Sequence, residues 1–185
     1  MRLRDGCIPL IIRKTYTVLL VGIISCNVSF ADPTSEIQSL TIAFLYNFMK
    51  LSEWPTDVGS DGLTLCVTEG RDFVEELQSI QGKLIKNKTL RVKNLVLGDN
   101  PGDCQLLFLP SEEKPIRLRE WLKLIEYKPV LTVSDTPGFL DQGGMVNLVS
   151  EDNHLQFEVN LELAKKAGIE MSSQMLKIAR EVRGK

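Results

Sequence analysis

The sequence has 185 residues, of which 43% are apolar and 25% charged, a composition that suggests one globular domain. Its formal net charge is −2, from 22 basic and 24 acidic residues. Removing the first 31 residues, which carry four basic residues and one acidic residue, leaves 18 basic and 23 acidic residues and a net charge of −5. Because phosphate binding needs a basic surface, this balance disfavours a nucleic acid as a partner.

Residues 1–31 have the form of a secretory signal peptide. Four basic residues precede the apolar run TVLLVGII (17–24), and SFA (29–31) places small residues where a signal peptidase recognises them. The run is about half of the ~20 residues that span a bilayer, which disfavours a membrane anchor. We predict cleavage after Ala31 and a single exported domain over 32–185. The segment IISC (23–26) also resembles a bacterial lipobox, so lipidation at Cys26 is the alternative.

Short apolar runs alternate with helical patterns along the predicted domain. The patterns predict a helix over 35–53 that Pro55 stops, strands over 63–68, 90–95, 104–109 and 130–133, helices over 71–80 and 115–127, a hairpin over 145–149 and 155–159, a short helix over 161–167, and a last helix from Ser172 or Ser173 to Val182. This order predicts an α/β fold with a mostly parallel central sheet flanked by helices, to which a C-terminal β-hairpin is added.

The end of the first predicted helix, FLYNFMKLSEWP (44–55), is apolar on almost every side. Such a helix must be covered on almost every side. We expect Phe44, Leu45, Phe48 and Leu51 to pack on the sheet, Asn47 to satisfy backbone groups inside, and Tyr46 and Met49 to face neighbouring helices or a second subunit. Trp54, beside Pro55, is a candidate for the lining of a small-ligand pocket.

Two cysteines, Cys66 and Cys104, remain after the predicted signal peptide is removed. In an oxidising compartment a lone pair usually forms a disulfide. The alternatives are two free thiols or half of a metal site. Two cysteines and His154, the one histidine, are too few for a convincing zinc site, so we predict no metal and no cofactor.

No motif in the sequence assembles a catalytic site. The segment DTPG (135–138) resembles the magnesium-binding turn of GTPases, but a phosphate loop ending in Gly-Lys-Ser or Gly-Lys-Thr is absent, which favours a simple turn after a strand. His154 has no nucleophile elbow with it. An enzyme built around His154 and Asp135 is the rival hypothesis, and we assign no catalytic residue.

Seven segments in a fixed order give the chain a family resemblance. They are FLYNFMKLSEWP (44–55), LCV (65–67), CQLLFL (104–109), PVLTVSDTPGF (129–139), GGMVNLV (143–149), FEVN (157–160) and AGIEMSSQML (167–176). Together they resemble the YfiR family of bacterial periplasmic proteins, over about residues 35–180. The resemblance implies a homodimeric, non-enzymatic repressor that holds the periplasmic region of an inner-membrane diguanylate cyclase inactive, which keeps cyclic di-GMP and biofilm formation low.

The resemblance also implies an OmpA-like outer-membrane lipoprotein that sequesters the repressor, and redox control through disulfides. Cys66 and Cys104 match the main cysteine pair of the family. A second pair that some members carry near 145–152 is missing here, since Met145 and Asp152 stand in that region without a cysteine.

We assign partner contacts to the hairpin and the helix that follows it. The predicted contacts are Met145, Val146, Glu158, Leu163 and Ile169, because apolar anchors with an occasional charge suit a protein interface. Core packing is the alternative for each apolar member. The alternative function for the whole chain is a periplasmic small-molecule-binding protein that reports to a membrane sensor, with its pocket near Trp54.

Overall fold

The computed structural model describes residues 33–55, 61–68, 71–151 and 154–184, and the side chains of 33–35 and 71–72 are not described. The predicted signal peptide, Cys26 and the hairpin residues Asp152 and Asn153 lie outside the described residues. Within them, no helix has the length and apolarity needed to cross a membrane.

Five helices and ten strands alternate along the described chain. The helices are α1 (Pro33–Leu51), α2 (Arg71–Leu77), α3 (Pro115–Leu124), α4 (Leu161–Lys166) and α5 (Ser173–Ile178). The strands are β1 (Ser52–Glu53), β2 (Leu63–Thr68), β3 (Leu84–Ile85), β4 (Lys88–Leu95), β5 (Leu106–Leu109), β6 (Leu131–Ser134), β7 (Val146–Glu151), β8 (His154–Asn160), β9 (Glu170–Met171) and β10 (Glu181–Arg183).

Eight strands form one sheet in the order β10-β8-β7-β6-β5-β2-β4-β3. The five strands from β7 to β4 in that order are all parallel to their neighbours. The hairpin partner β8 is antiparallel to β7, and β3 is antiparallel to β4. The predicted α/β fold, with its parallel centre and added C-terminal hairpin, is confirmed. A second, two-stranded sheet pairs β1 with β9.

The sheet separates two apolar cores. The larger core lies under α1, where the rings of Phe48 and Phe157 meet with centroids 4.9 Å apart and Phe44 lies 5.7 Å from both. The smaller core contains Cys66 and Cys104 and is closed by Leu118, Trp121 and Ile125 from α3 and the turn that follows it, together with Phe139. Both faces of the parallel strands are therefore covered, as a parallel sheet requires.

Helix α1 is not buried on all sides, which corrects part of the prediction. Leu45 and Phe48 are buried as expected, and Met49 is covered within the same core of this chain. Asn47 is exposed and satisfies no backbone group inside. It forms a solvent stripe with Ala43 and Lys50, at the three- and four-residue spacing of one helix face.

The end of α1 differs from the prediction because a tertiary contact intervenes. The helix ends at Leu51, whose carbonyl oxygen accepts a hydrogen bond from the Ser172 N–H at 2.8 Å. Ser52 and Glu53 then continue as strand β1 against β9 instead of as helix. Pro55 favours extended geometry at Trp54, in line with this early exit from the helix.

The predicted C-terminal helix is wrong beyond Ile178. Ala179 adopts extended backbone angles, and the Arg180 N–H donates to the Phe157 carbonyl at 2.8 Å. Glu181–Arg183 consequently joins the sheet as β10, parallel to β8. Likewise α3 ends at Leu124 rather than 127, since Tyr127 has φ +59 and cannot continue a right-handed helix.

Candidate functional site

The two cysteines of the described chain form a disulfide. Cys66 lies in β2, and Cys104 lies just before β5. Cys66 and Cys104 have Cα atoms 5.8 Å apart, and both side chains are buried. No helix lies between β4 and β5, where the chain makes only a short 3₁₀ turn, Pro101–Asp103. The disulfide therefore fastens β2 to the entrance of β5, at the end of a connection that contains no α-helix.

A cavity of about 330 Å³ lies at the junction between the end of α1 and the start of β1. It is lined by Met49, Ser52, Glu53, Trp54, Pro55, Leu63, Lys86 and Lys88. Trp54, predicted as a candidate pocket residue, is one of the residues that line it. Its indole N–H donates to the Gln105 carbonyl at 2.9 Å, which fixes the ring and leaves its apolar surface as the part that a ligand could contact.

In this cavity, called the Trp54 cavity below, some polar groups have hydrogen-bond partners and one does not. The Lys86 ammonium donates to the Ser52 carbonyl at 3.3 Å and to a Glu53 carboxylate oxygen at 2.8 Å. That hydrogen bond from Lys86 lowers the pKa of Glu53. The hydroxyl of Ser52 is buried and has no hydrogen-bond partner, although a buried hydroxyl normally has one.

The five predicted partner contacts do not form one surface. Met145, Val146 and Ile169 are buried in the larger core, so core packing, the alternative interpretation, describes them in this fold. The first three residues of β7 are all buried, and Met145 directly before them and Ile169 shortly after α4 pack into the same core. Only Glu158 and Leu163 are partly exposed.

Two different grooves contain the accessible members of that set. Leu163, with the edge of Met145, lines a groove of about 430 Å³ against the C-terminal end of α3. Glu158 lines another, of about 390 Å³, together with Asp135 and Arg180. The Arg180 guanidinium lies 3.7 Å from Glu158 and 2.7 Å from Glu151. A partner would have to reach both grooves to use both residues.

Asp135 supports a turn and is not brought to His154 by any contact of the described chain. Its carboxylate accepts hydrogen bonds from the Ser111 N–H at 2.7 Å and the Ser111 hydroxyl at 3.3 Å, which joins the ends of β5 and β6. Gly138, at φ +71, supplies the left-handed residue of the DTPG turn. His154 instead stands opposite Glu151 at the exposed end of the hairpin.

Burial raises the pKa of Asp135, because neighbouring protein desolvates the carboxylate more than the Ser111 hydrogen bonds stabilise its charge. The outer edge of the residue is still open to solvent. No group of three or more metal-ligating side chains occurs among the residues that the structure describes.

Residues 38–180, more than three quarters of the chain, match the model of a protein family described as YfiR/HmsC-like. The chain belongs to the YfiR/HmsC-like family. The resemblance inferred from the seven sequence segments is thereby confirmed. A search of curated proteins found no match.

Membership of the YfiR/HmsC-like family indicates a periplasmic regulator of cyclic di-GMP signalling, and the family is regulatory rather than catalytic. The match includes both cysteines and every strand of the main sheet except β10. The disulfide suits the oxidising environment of the periplasm.

Helix α3 has an apolar surface that was not predicted from the sequence. Ile116 and Leu124 are exposed there, although α3 also buries Leu118 and Trp121 against the smaller core. The sequence carried a signal for it: PIRLREWLKL has apolar residues on two sides of the helix, more than one buried face needs.

Proposed function

We propose that this chain is a non-enzymatic periplasmic regulator that binds the periplasmic region of an inner-membrane diguanylate cyclase and holds the cyclase inactive. Lower cyclic di-GMP and less biofilm are the consequences for the cell. The observation that carries the proposal is the family match over 38–180, which spans nearly the whole described fold.

Two features of the chain support a protein as its partner. The net charge of −5 for residues 32–185 disfavours nucleic acid. Partly exposed apolar and charged side chains, including Leu163 and Glu158, line grooves between elements rather than a deep enclosed pocket. A homodimer and capture by an OmpA-like outer-membrane lipoprotein belong to the same proposal, and both rest on the family resemblance.

The test is cellular cyclic di-GMP in strains with and without this gene, each with and without the diguanylate cyclase encoded nearest to it. We expect loss of the gene to raise the nucleotide only while the cyclase is present, and a plasmid copy to restore the low level. An unchanged level in every strain would remove the proposed function without affecting the fold.

The Trp54 cavity favours a second candidate function, the binding of a small molecule that modulates the regulator. A fixed indole surface, the Lys88 ammonium beside the Lys86–Glu53 ion pair, and the unpartnered Ser52 hydroxyl suit a small planar molecule with an anionic group. The volume of about 330 Å³ is at the lower end for such sites.

This second candidate is tested by native mass spectrometry of the protein isolated gently from the periplasm. We expect an added small-molecule mass that Trp54→Ala abolishes and that the exposed control Asn47→Ala keeps. An identical ligand-free mass for all three proteins would argue against the candidate.

A further inference from the structure

Exposed apolar side chains gather around α3. Of the eight large hydrophobic residues that are exposed within the described chain, five lie on α3, just after it, or in the turn that faces it. They are Val96 (60% exposed), Leu97 (70%), Ile116 (61%), Leu124 (52%) and Tyr127 (75%). Single exposed apolar residues are ordinary, but a cluster of them marks an interaction surface.

Ile116 and Leu124 do not belong to the face that α3 packs on the sheet. With Glu120 between them they follow four-residue spacing, so the three side chains share one side of the helix within about 80° of its circumference. The buried face of α3 carries Leu118 and Trp121 instead. We call Leu97, Ile116, Glu120 and Leu124 the α3 surface.

A groove runs on each side of α3. One, of about 550 Å³, lies between Leu97 with Gly98 and the α3 residues Arg117, Trp121 and Leu124. The groove of about 430 Å³ lies on the other side, where Leu122 of α3 faces Leu163. Lys123 lines both grooves. The surface is therefore a ridge between two concave channels, each with apolar side chains in its lining, a shape that accepts inserted side chains.

The rim of these grooves is basic, although the chain as a whole is acidic. Helix α3 carries Arg117, Arg119 and Lys123 against the single acid Glu120. Arg117 is engaged with the buried carboxylate of Glu113 at 3.0 Å. In the part of the chain that the structure describes, no ion pair involves Arg119 or Lys123, so both exposed cations are available to an incoming carboxylate.

We propose that the α3 surface docks an acidic amphipathic segment of a partner protein, with apolar side chains in the two grooves and carboxylates on Arg119 and Lys123. Charge complementarity to a basic rim selects the acidic segment. Concave channels favour inserted side chains over a flat lipid surface. The inference rests on the proposed function in that the segment belongs to the periplasmic region of the regulated cyclase.

The test is photocrosslinking in living cells, with the photoreactive amino acid p-benzoylphenylalanine placed singly at position 97 or 124. Position 84 is the matched control, because Leu84 is 64% exposed but lies on the edge strand β3. The crosslinked peptides are identified by mass spectrometry. Thermal unfolding of each variant verifies that these exposed positions leave the fold intact.

We expect positions 97 and 124, but not 84, to crosslink to a protein peptide rich in carboxylates and apolar residues. Arg119→Glu with Lys123→Glu should lower the yield at 124 about fivefold or more, because the two rim charges are reversed. Crosslinking to lipid would overturn the docking assignment, as would crosslinking to a second copy of this chain or to a basic peptide. Equal crosslinking from position 84, or no crosslink at all, would also overturn it.

The identity of the crosslinked protein separates this inference from the proposed function. An acidic segment of a diguanylate cyclase supports both. An acidic segment of an unrelated protein supports the α3 docking surface and counts against cyclase repression. The cyclic di-GMP measurement tests repression without any reference to α3.

Discussion

Phe48 shows why the apolar end of α1 is structural at the scale of a single residue. Its ring is buried between Phe44 and Phe157. Phe48→Ala should lower the free energy of unfolding by about 3–5 kcal/mol, through lost burial and the cavity left behind. Asn47→Ala, the exposed neighbour, should leave it within about 0.5 kcal/mol. Urea unfolding measures both, and equal stability of the two variants would contradict the core assignment.

Asp135 is expected to make stability depend on pH. Since its folded-state pKa is raised, its contribution to stability is fully present below the ordinary value of 3.8 and is lost as the pH rises through the raised pKa. Asp135→Asn keeps an oxygen for the Ser111 N–H but cannot ionise. The melting temperature of the variant relative to the wild type should therefore rise between pH 3 and pH 7, and a constant difference across that range would exclude this role.

Glu158 is the charged residue of the predicted interface that a partner can still reach. Its side chain is 15% exposed, beside Arg180. Glu158→Lys places two cations together in the groove and should weaken repression, seen as a several-fold rise in cellular cyclic di-GMP. Because the contact of Glu158 with Arg180 is long, at 3.7 Å, and Arg180 keeps its 2.7 Å ion pair with Glu151, folding should survive. Glu170→Lys, an exposed control on β9, should repress normally. Normal repression by a folded Glu158→Lys protein would remove Glu158 from the interface.

At the scale of elements, the disulfide joins β2 to the entrance of β5, after a β4–β5 connection that contains no α-helix. It closes a loop of sequence separation 38, and such a constraint is worth about 4 kcal/mol in the chain-entropy model. The double variant Cys66→Ala/Cys104→Ala should lose stability of that order in urea unfolding. Reductant should destabilise the wild type but not the double variant. Equal sensitivity of the two proteins to reductant would mean that the disulfide is not the stabilising feature.

Element types followed from local patterns, whereas element ends depended on distant contacts. The short apolar runs at 63–68 and 130–133 were enough to predict β2 and β6, because a strand buried on both faces is apolar along its own length. The exit of α1 at Leu51 needed Ser172, and the strand at 181–183 needed Phe157. Neither partner is near in sequence, so no local pattern could reveal them.

The same distinction applies to the candidate sites. Trp54 lines a cavity and could be named from the sequence because a tryptophan next to a proline at a helix end is a local feature, while its role in binding a ligand stays a prediction. Val146 and Ile169 were chosen for being apolar, but apolar character alone does not separate a core residue from an exposed anchor. The α3 grooves require Leu97 and Leu163, from elements before and after α3, and only the folded chain brings these together.

For the whole molecule, the proposed function requires export, because the disulfide and the periplasmic partner depend on the same compartment. Deleting residues 2–31 should keep the chain in the cytoplasm, with Cys66 and Cys104 reduced and repression lost. After denaturation, maleimide-polyethylene glycol should add twice to the deleted form. The exported form, cleaved after Ala31, should react only after reduction.

Cys26→Ser distinguishes the two export routes, since a lipoprotein would lose its membrane attachment and a protein cleaved after Ala31 would be unaffected. Fractionation of the periplasm and the membranes gives the result directly. If the deleted form still carried an unreactive disulfide and still lowered cyclic di-GMP, both the signal-peptide prediction and the periplasmic site of action would be wrong, and repression would have to occur on the cytoplasmic side of the inner membrane.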